Sequence, residues 1–137
     1  MYQNRIEIIF DAGHRQYNYK GRCESPHGHT FRAEVMVRSE KLNALSFVVD
    51  FVEMKDKLGR WVEDNWDHAF LVNEEDKEMV AALNSLHDKR VFFFKSNPSS
   101  EAMAKYLFDI ARTILGDIVS AARIWESPSQ YAEYSET

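Results

Sequence analysis

His27-Gly28-His29-Thr30-Phe31-Arg32-Ala33-Glu34-Val35-Met36-Val37-Arg38 is the stretch on which the fold turns. From Thr30 to Arg38, the residues Phe31, Ala33, Val35 and Val37 alternate with Arg32, Glu34, Met36 and Arg38. A period of two marks a strand with one face turned to a core. Residues two apart on a strand share a face, so His27 and His29 aim two imidazoles at one point. Upstream, Arg5 to Phe10 reads as another strand, with Ile6, Ile8 and Phe10 on one face. Phe10-Asp11-Ala12-Gly13-His14 ends that stretch on a third histidine.

Three neutral imidazoles with an open fourth position are a common way to hold a catalytic zinc ion, so His14, His27 and His29 are the candidate metal ligands. Cys23 is the single cysteine and lies four residues before His27. It has three readings at this point: a thiol beside the metal that takes part in chemistry, a fourth ligand closing a structural site, or an inert buried side chain. Asp11 to Pro26 is expected to be loop or strand extension, given Gly13, Asn18, Gly21, Ser25 and Pro26.

Further along, Asp50 is a helix cap with Glu53 placed for a capping box, and Phe51, Met54, Leu58, Trp61 and Val62 follow as an apolar stripe. Glu74 to Lys89 reads as partly helical, and Val91 to Phe94 as a short β run. Asn97-Pro98-Ser99-Ser100-Glu101 opens a second main helix, whose apolar stripe is Ala102, Tyr106, Leu107, Ile110, Ala111 and Ile114 and which Gly116 stops. Ala121 to Glu126 and Tyr131 to Tyr134 are strand-like. These elements predict an α+β fold in which two main helices cover one face of an antiparallel sheet. Nothing obvious blunts the sheet's two edges, so pairing with neighbouring subunits is expected.

The 137 residues fit a single domain spanning 1–137. A composition 45% hydrophobic and 28% charged is that of an ordinary soluble domain. The formal charge of −5 argues against a general nucleic-acid binder, although Arg15, Lys20 and Arg22 gather around the His/Cys segment. With one cysteine there is no internal disulfide. Met1-Tyr2-Gln3-Asn4-Arg5 does not open as a secretory signal, and no apolar run is long enough to span a bilayer. A cytoplasmic location without membrane contact is expected.

Two more polar features stand out. Asp67-His68 follows the first main helix, and a carboxylate beside a histidine fixes its tautomer and raises its basicity. The alternative is a plain loop pair. Glu126 ends the mostly apolar Ala121-Ala122-Arg123-Ile124-Trp125 run. It either faces solvent or accepts hydrogen bonds from a planar ligand edge.

Together Phe10-Asp11-Ala12-Gly13-His14, Cys23-x-x-x-His27-Gly28-His29, Val49-Asp50-Phe51, Asp67-His68, Asn97-Pro98-Ser99-Ser100-Glu101 and Glu126 resemble the 6-pyruvoyltetrahydropterin synthase and 6-carboxytetrahydropterin synthase family. The likeness runs over nearly the whole chain. It implies a tunnelling fold (T-fold) with a four-stranded antiparallel sheet, whose copies pair edge to edge into a β-barrel. A homohexamer built as a dimer of trimers, with sites where subunits meet, goes with it. The resemblance also implies Zn2+ on His14, His27 and His29, Cys23 as an acid/base thiol, and Asp67 and His68 as its catalytic partners. Glu126 would anchor the pterin, with Ser99, Ser100 and Glu101 near the same pocket. The implied substrate is 7,8-dihydroneopterin triphosphate, and the implied product 6-carboxy-5,6,7,8-tetrahydropterin, which feeds queuosine synthesis. 6-Pyruvoyltetrahydropterin is the alternative product. Glu24 departs from the plain pattern. It stands where some relatives place a catalytic glutamate, which implies a second activity giving 6-hydroxymethyl-7,8-dihydropterin for folate synthesis. From another class, the chain would be a non-catalytic metal- or pterin-binding module, or a small assembly module with incidental histidines.

Overall fold

Alternation carries the first two strands beyond their sequence-based limits. In the computed structural model, which describes residues 1–136, β1 runs Tyr2–His14 and β2 runs His27–Ser39. The histidines are therefore in the strands rather than beside them. The other elements are α1 (Phe51–Asn65), β3 (Ala69–Asn73), α2 (Lys77–Asn84), β4 (Val91–Phe94), α3 (Ser100–Leu115), β5 (Val119–Ser127) and β6 (Gln130–Ser135). A short 3-10 turn at Arg22–Glu24 lies in the β1–β2 connection.

The sheet has six strands in the order β4-β3-β1-β2-β5-β6, not four, and it is mixed rather than antiparallel. The four strands β1, β2, β5 and β6 pair antiparallel, while β3 runs parallel to β1 and β4 parallel to β3. The sequence hides β3 because Ala69, Leu71, Val72 and Asn73 are all buried, so no polar face alternates with an apolar one. The crossover through α2 returns the chain to the same end of the sheet, so β4 runs parallel to β3.

Helices α1 and α3 cover one face, as their stripes predict. Met54, Leu58 and Val62 of α1 and Met103, Ala104, Leu107, Phe108 and Ala111 of α3 join Phe10, Phe31, Val35 and Leu71 in the main core. Phe51 and Tyr106 stay at least partly in solvent, so both stripes are rotated relative to the sequence reading. Asp50 caps α1 by accepting from Val52 N–H at 2.8 Å, whereas Glu53 pairs with Lys57 instead of closing a capping box. Ser99 caps α3, and Gly116 ends it at φ 86°, a left-handed conformation that favours glycine.

The third helix lies on the other side. Leu71 faces the main core, so Phe70 and Val72 face away from it. They pack with Met79, Val80, Leu83 and Val91 in a second, smaller cluster. A buried ion pair ties α2 down: Arg15 Nε and Nη2 each donate to the Asp76 carboxylate at 2.6 Å, and Asp76 also caps α2 by accepting from Met79 N–H. Arg15 is thus committed to structure, not free to meet an anion beside Cys23.

The Arg15 hydrogen bonds hold the Asp76 carboxyl below its ordinary value. Its contribution to stability is present above the unfolded value of about 3.9 and is lost as pH falls through the lower folded value. Asp76→Ala leaves Arg15 without its partner and is expected to destabilise by about 3 kcal/mol in urea melts at pH 7. The gap between variant and parent should narrow as pH drops below about 4. A gap that widens in acid contradicts this account.

Candidate active site

Antiparallel pairing sets His14 opposite His27, and Ala12 opposite His29. The three imidazoles meet edge to face on the helix side of the sheet, with ring centroids 4.7–5.1 Å apart. One nitrogen from each ring falls within 4.8 Å of the other two. A tetrahedral ion with Zn–N near 2.0–2.1 Å holds its ligands about 3.4 Å apart, so a small closure suffices.

The hydrogen bonds show which nitrogen each ring offers. His14 Nδ1 lies 2.8 Å from Pro98 O and His27 Nδ1 lies 2.7 Å from Ser25 O. A carbonyl only accepts, so both Nδ1 atoms carry hydrogen and both Nε2 atoms carry the lone pair. His14 Nε2, His27 Nε2 and His29 Nε2 are all buried without a hydrogen-bond partner. Buried polar atoms rarely go unpaired. Three converging, unpartnered Nε2 atoms fit a metal ion, and the carbonyls at His14 and His27 are the outer contacts that fix such ligands. Burial, ahead of every other influence, lowers the pKa of His14 and His29, which favours the neutral form a metal needs.

Glu126 reaches this cluster. Its Oε1 is 3.9 Å from His14 Nε2, and its side chain is only 17% exposed. It occupies the helix-side face at the end of β5, in phase with buried Ala122 and Ile124.

Asp67 and His68 are brought together, and His68 shares a cleft with His27 and His29. Asp67 Oδ2 is 3.0 Å from His68 Nδ1. One residue of β1 clamps the pair: Asp11 N–H donates to Asp67 Oδ1 at 3.0 Å, and Asp11 O accepts from His68 N–H at 2.6 Å. Burial pushes the Asp67 carboxyl up, yet the Asp11 amide, the His68 ring and the Arg90 charge together hold it below its ordinary value. His68 sits at φ 59°, a left-handed conformation unusual for a residue with a side chain. It lines an open cleft of about 790 Å³ with Asp11, Gly13, Gly28, Thr30 and Phe70. His27 and His29 line the same cleft, which therefore reaches the histidine cluster at the end of the sheet.

Cys23 and Glu24 lie exposed on the 3-10 turn, and the Cys23 thiol is not among the converging ligand atoms. Gln16 N–H donates to Cys23 O at 2.7 Å, folding this loop back on itself. Ser99 spends its hydroxyl on the Ala102 N–H of the α3 cap. Ser100 and Glu101 begin the first turn of α3, two and three residues beyond the Pro98 carbonyl that holds His14. Sequence reasoning missed four contributors: Asp11, Thr30, Asn97 and Pro98. Asn97 accepts from Tyr17 N–H and donates to Tyr17 O, locking the loop after His14 onto the α3 start. Asp11 and Pro98 act through backbone atoms, which leave no mark in residue type. Thr30 donates its hydroxyl to Asp11 Oδ1 at 2.5 Å, and only the β1–β2 register reveals that pair.

The family model for 6-pyruvoyl tetrahydropterin synthase matches residues 5–137. The chain belongs to the 6-pyruvoyl tetrahydropterin synthase family. Its members are tetrahydropterin synthases, enzymes of the lyase type. A 6-carboxy-5,6,7,8-tetrahydropterin synthase of Rickettsia felis is 30% identical over 130 residues, covering 92% of this chain and 94% of the relative. The synthase of that name from Haemophilus influenzae is 27% identical over 142 residues, covering 99% and 100%. Among solved structures, an uncharacterized protein of Wolinella succinogenes superposes with a TM-score of 0.85 at 20% identity over 99% of this chain and 98% of that one. The Caenorhabditis elegans 6-pyruvoyl tetrahydropterin synthase does so with a TM-score of 0.69 at 22% identity, over 100% and 98%. These likenesses establish the tunnelling fold.

The left-handed backbone at His68 predicts an ordering of variants. Such a conformation costs an L-residue about 1–2 kcal/mol, more when the side chain is β-branched. His68→Gly should melt close to the parent, while His68→Val should lose at least about 1 kcal/mol more. Equal melting of the two variants in thermal denaturation removes the strain.

Proposed function

We propose that this chain is a zinc-dependent synthase that converts 7,8-dihydroneopterin triphosphate to 6-carboxy-5,6,7,8-tetrahydropterin, with loss of triphosphate and side-chain carbons. The observation that carries the reading is the convergence of three buried, unpartnered Nε2 atoms, with the Nδ1–H groups of His14 and His27 fixed by carbonyls. Relatives bearing the carboxy-forming name at full length support the product. When bound at His14, His27 and His29, zinc supplies Lewis acidity toward the hydroxyls of the substrate side chain.

The chain's own groups do the rest. Cys23, exposed on its turn, takes and returns the side-chain protons. Asp67 stays ionised, holds the hydrogen on His68 Nδ1, and leaves His68 Nε2 to exchange protons. The family resemblance supports a site completed between subunits. The exposed outer edge of β6 offers the pairing surface for a homohexamer. Among the described residues no helix is long and apolar enough to cross a membrane. We assign the reaction to the cytoplasm and to queuosine synthesis.

Glu126, with Ser99, Ser100 and Glu101 nearby, is assigned to hold the pterin through its amino-pyrimidine edge, as a carboxylate matched to paired N–H donors. Its 3.9 Å distance from His14 Nε2 favours a second reading, in which it acts at the reacting side chain beside the metal. Glu126→Gln separates the two: an anchor raises KM, while a group at the reacting end lowers kcat with KM kept. Glu24 adjoins Cys23 and is assigned the alternative cleavage that yields 6-hydroxymethyl-7,8-dihydropterin. A Plasmodium vivax 6-pyruvoyltetrahydropterin synthase solved as a glutamate-to-alanine catalytic-residue mutant, with a TM-score of 0.70 at 17% identity, shows that this fold accommodates a catalytic glutamate.

Metal and activity should fall together. The purified protein should carry about one zinc per chain, and His29→Ala should lose both metal by atomic absorption and turnover. A fully zinc-loaded His29→Ala protein refutes the ligand set.

The product assay is mass spectrometry of the reaction with 7,8-dihydroneopterin triphosphate. Cys23→Ala should abolish the 6-carboxy product and retain some 6-hydroxymethyl product, and Glu24→Ala should do the reverse. Unchanged product ratios in Glu24→Ala return that residue to the loop. Light scattering should give a particle larger than a dimer, and a monomer that turns over substrate refutes the shared site.

A further inference from the structure

The cleft that His68 shares with His27 and His29 holds two cations without carboxylate partners among the described residues. Arg5, Arg15, Arg32, Arg112 and Arg123 each face an Asp or Glu. Lys89 and Arg90 do not. Among the described residues, Lys89 Nζ donates only to Leu86 O, at 3.4 Å, and Arg90 gives one N–H to Glu63 O, at 2.5 Å. Both line the cleft of about 790 Å³ that also holds His68 and Thr30.

Their placement is built into the fold. Residues 86–90 connect α2 to β4, and Phe70 N–H donates to Arg90 O at 2.8 Å. That bond fixes Arg90 beside the start of β3, two positions along from His68. The Arg90 charge is felt at the Asp67 carboxyl. Helix α2, which delivers this loop, is secured by the Arg15–Asp76 pair. A planar guanidinium with free N–H groups beside a flexible ammonium suits a ligand with several phosphate oxygens. Asp88 and Asp11 face the same cleft, so the site favours a multiply charged chain over a single phosphate.

We propose that Lys89 and Arg90 form a polyphosphate subsite, which holds the triphosphate tail of a substrate whose reacting side chain lies in the same cleft, beside His68, His27 and His29. The proposal rests on the pterin-triphosphate reading above. It assigns the α2–β4 connection to substrate selection, a role separate from the metal and the proton-transfer groups.

The test is calorimetric titration of the zinc-loaded, full-length assembly with inorganic tripolyphosphate. The parent should bind it, more weakly as salt rises. Lys89→Ala/Arg90→Ala should bind at least about tenfold more weakly, and Arg90→Lys, which keeps charge but loses the fork, should fall between. Lys55→Ala on α1 is the control and should bind like the parent. Melting curves confirm that each variant is folded. No binding by the parent, or equal binding by the folded double variant, overturns the subsite. The two readings fail separately. A parent that binds tripolyphosphate through this pair but never turns over 7,8-dihydroneopterin triphosphate keeps the subsite and sinks the synthase assignment. Turnover with unchanged tripolyphosphate binding in the double variant does the opposite.

Discussion

Everything at this site depends on the antiparallel register of β1 against β2. Thirteen facing pairs run from Tyr2↔Ser39 to His14↔His27. That register brings three imidazoles from two strands onto one face at the sheet's end. A slip of one residue turns a strand's whole side-chain set to the opposite face. Here it would move either His14 or the His27–His29 pair away from the others, and would take Phe10 or Phe31 out of the core. The two rings stack with centroids 5.2 Å apart, and both are almost wholly buried. Burial of side chains this large contributes about 1.5–3 kcal/mol each, so the core that holds the register also holds the histidine geometry.

The same strand addresses both faces of the sheet. His14 points to the helix side, and its Nδ1–H is held by the carbonyl just ahead of α3. Three residues earlier, Asp11 clamps the Asp67–His68 pair with its N–H and its C=O. A strand is stiff across four residues, so the histidine cluster and the Asp67–His68 pair keep a fixed offset along β1.

The sheet extension through β3, α2 and β4 has its own logic. Two parallel strands beyond β1 need a crossover, and α2 supplies it on the face away from α1 and α3. The helix is short, with eight residues, and buries few side chains of its own. A doubly hydrogen-bonded ion pair at its start compensates for that small core. Desolvating Arg15 and Asp76 is tolerable because every close contact is satisfied, including the cap to Met79.

Much of this was legible along the chain. Alternation from Thr30 to Arg38 announced β2, the stripes announced α1 and α3, and the His-x-His spacing announced two ligands on one face. The resemblance of several short motifs pointed to the tunnelling fold, which the superpositions bear out. Strand β3 was not legible, because a strand buried on both sides loses its period. Nor was the six-stranded mixed sheet, because parallel pairing is decided by a crossover and not by the strands it joins. The sequence by itself determined which residue types are present and which neighbours share a face. Only the tertiary structure decided that His14 joins His27 and His29, that backbone groups of Asp11 and Pro98 orient the site, and that Arg15 belongs to Asp76. Those contacts join residues far apart in the chain, often through atoms every residue has, and local pattern carries no record of them.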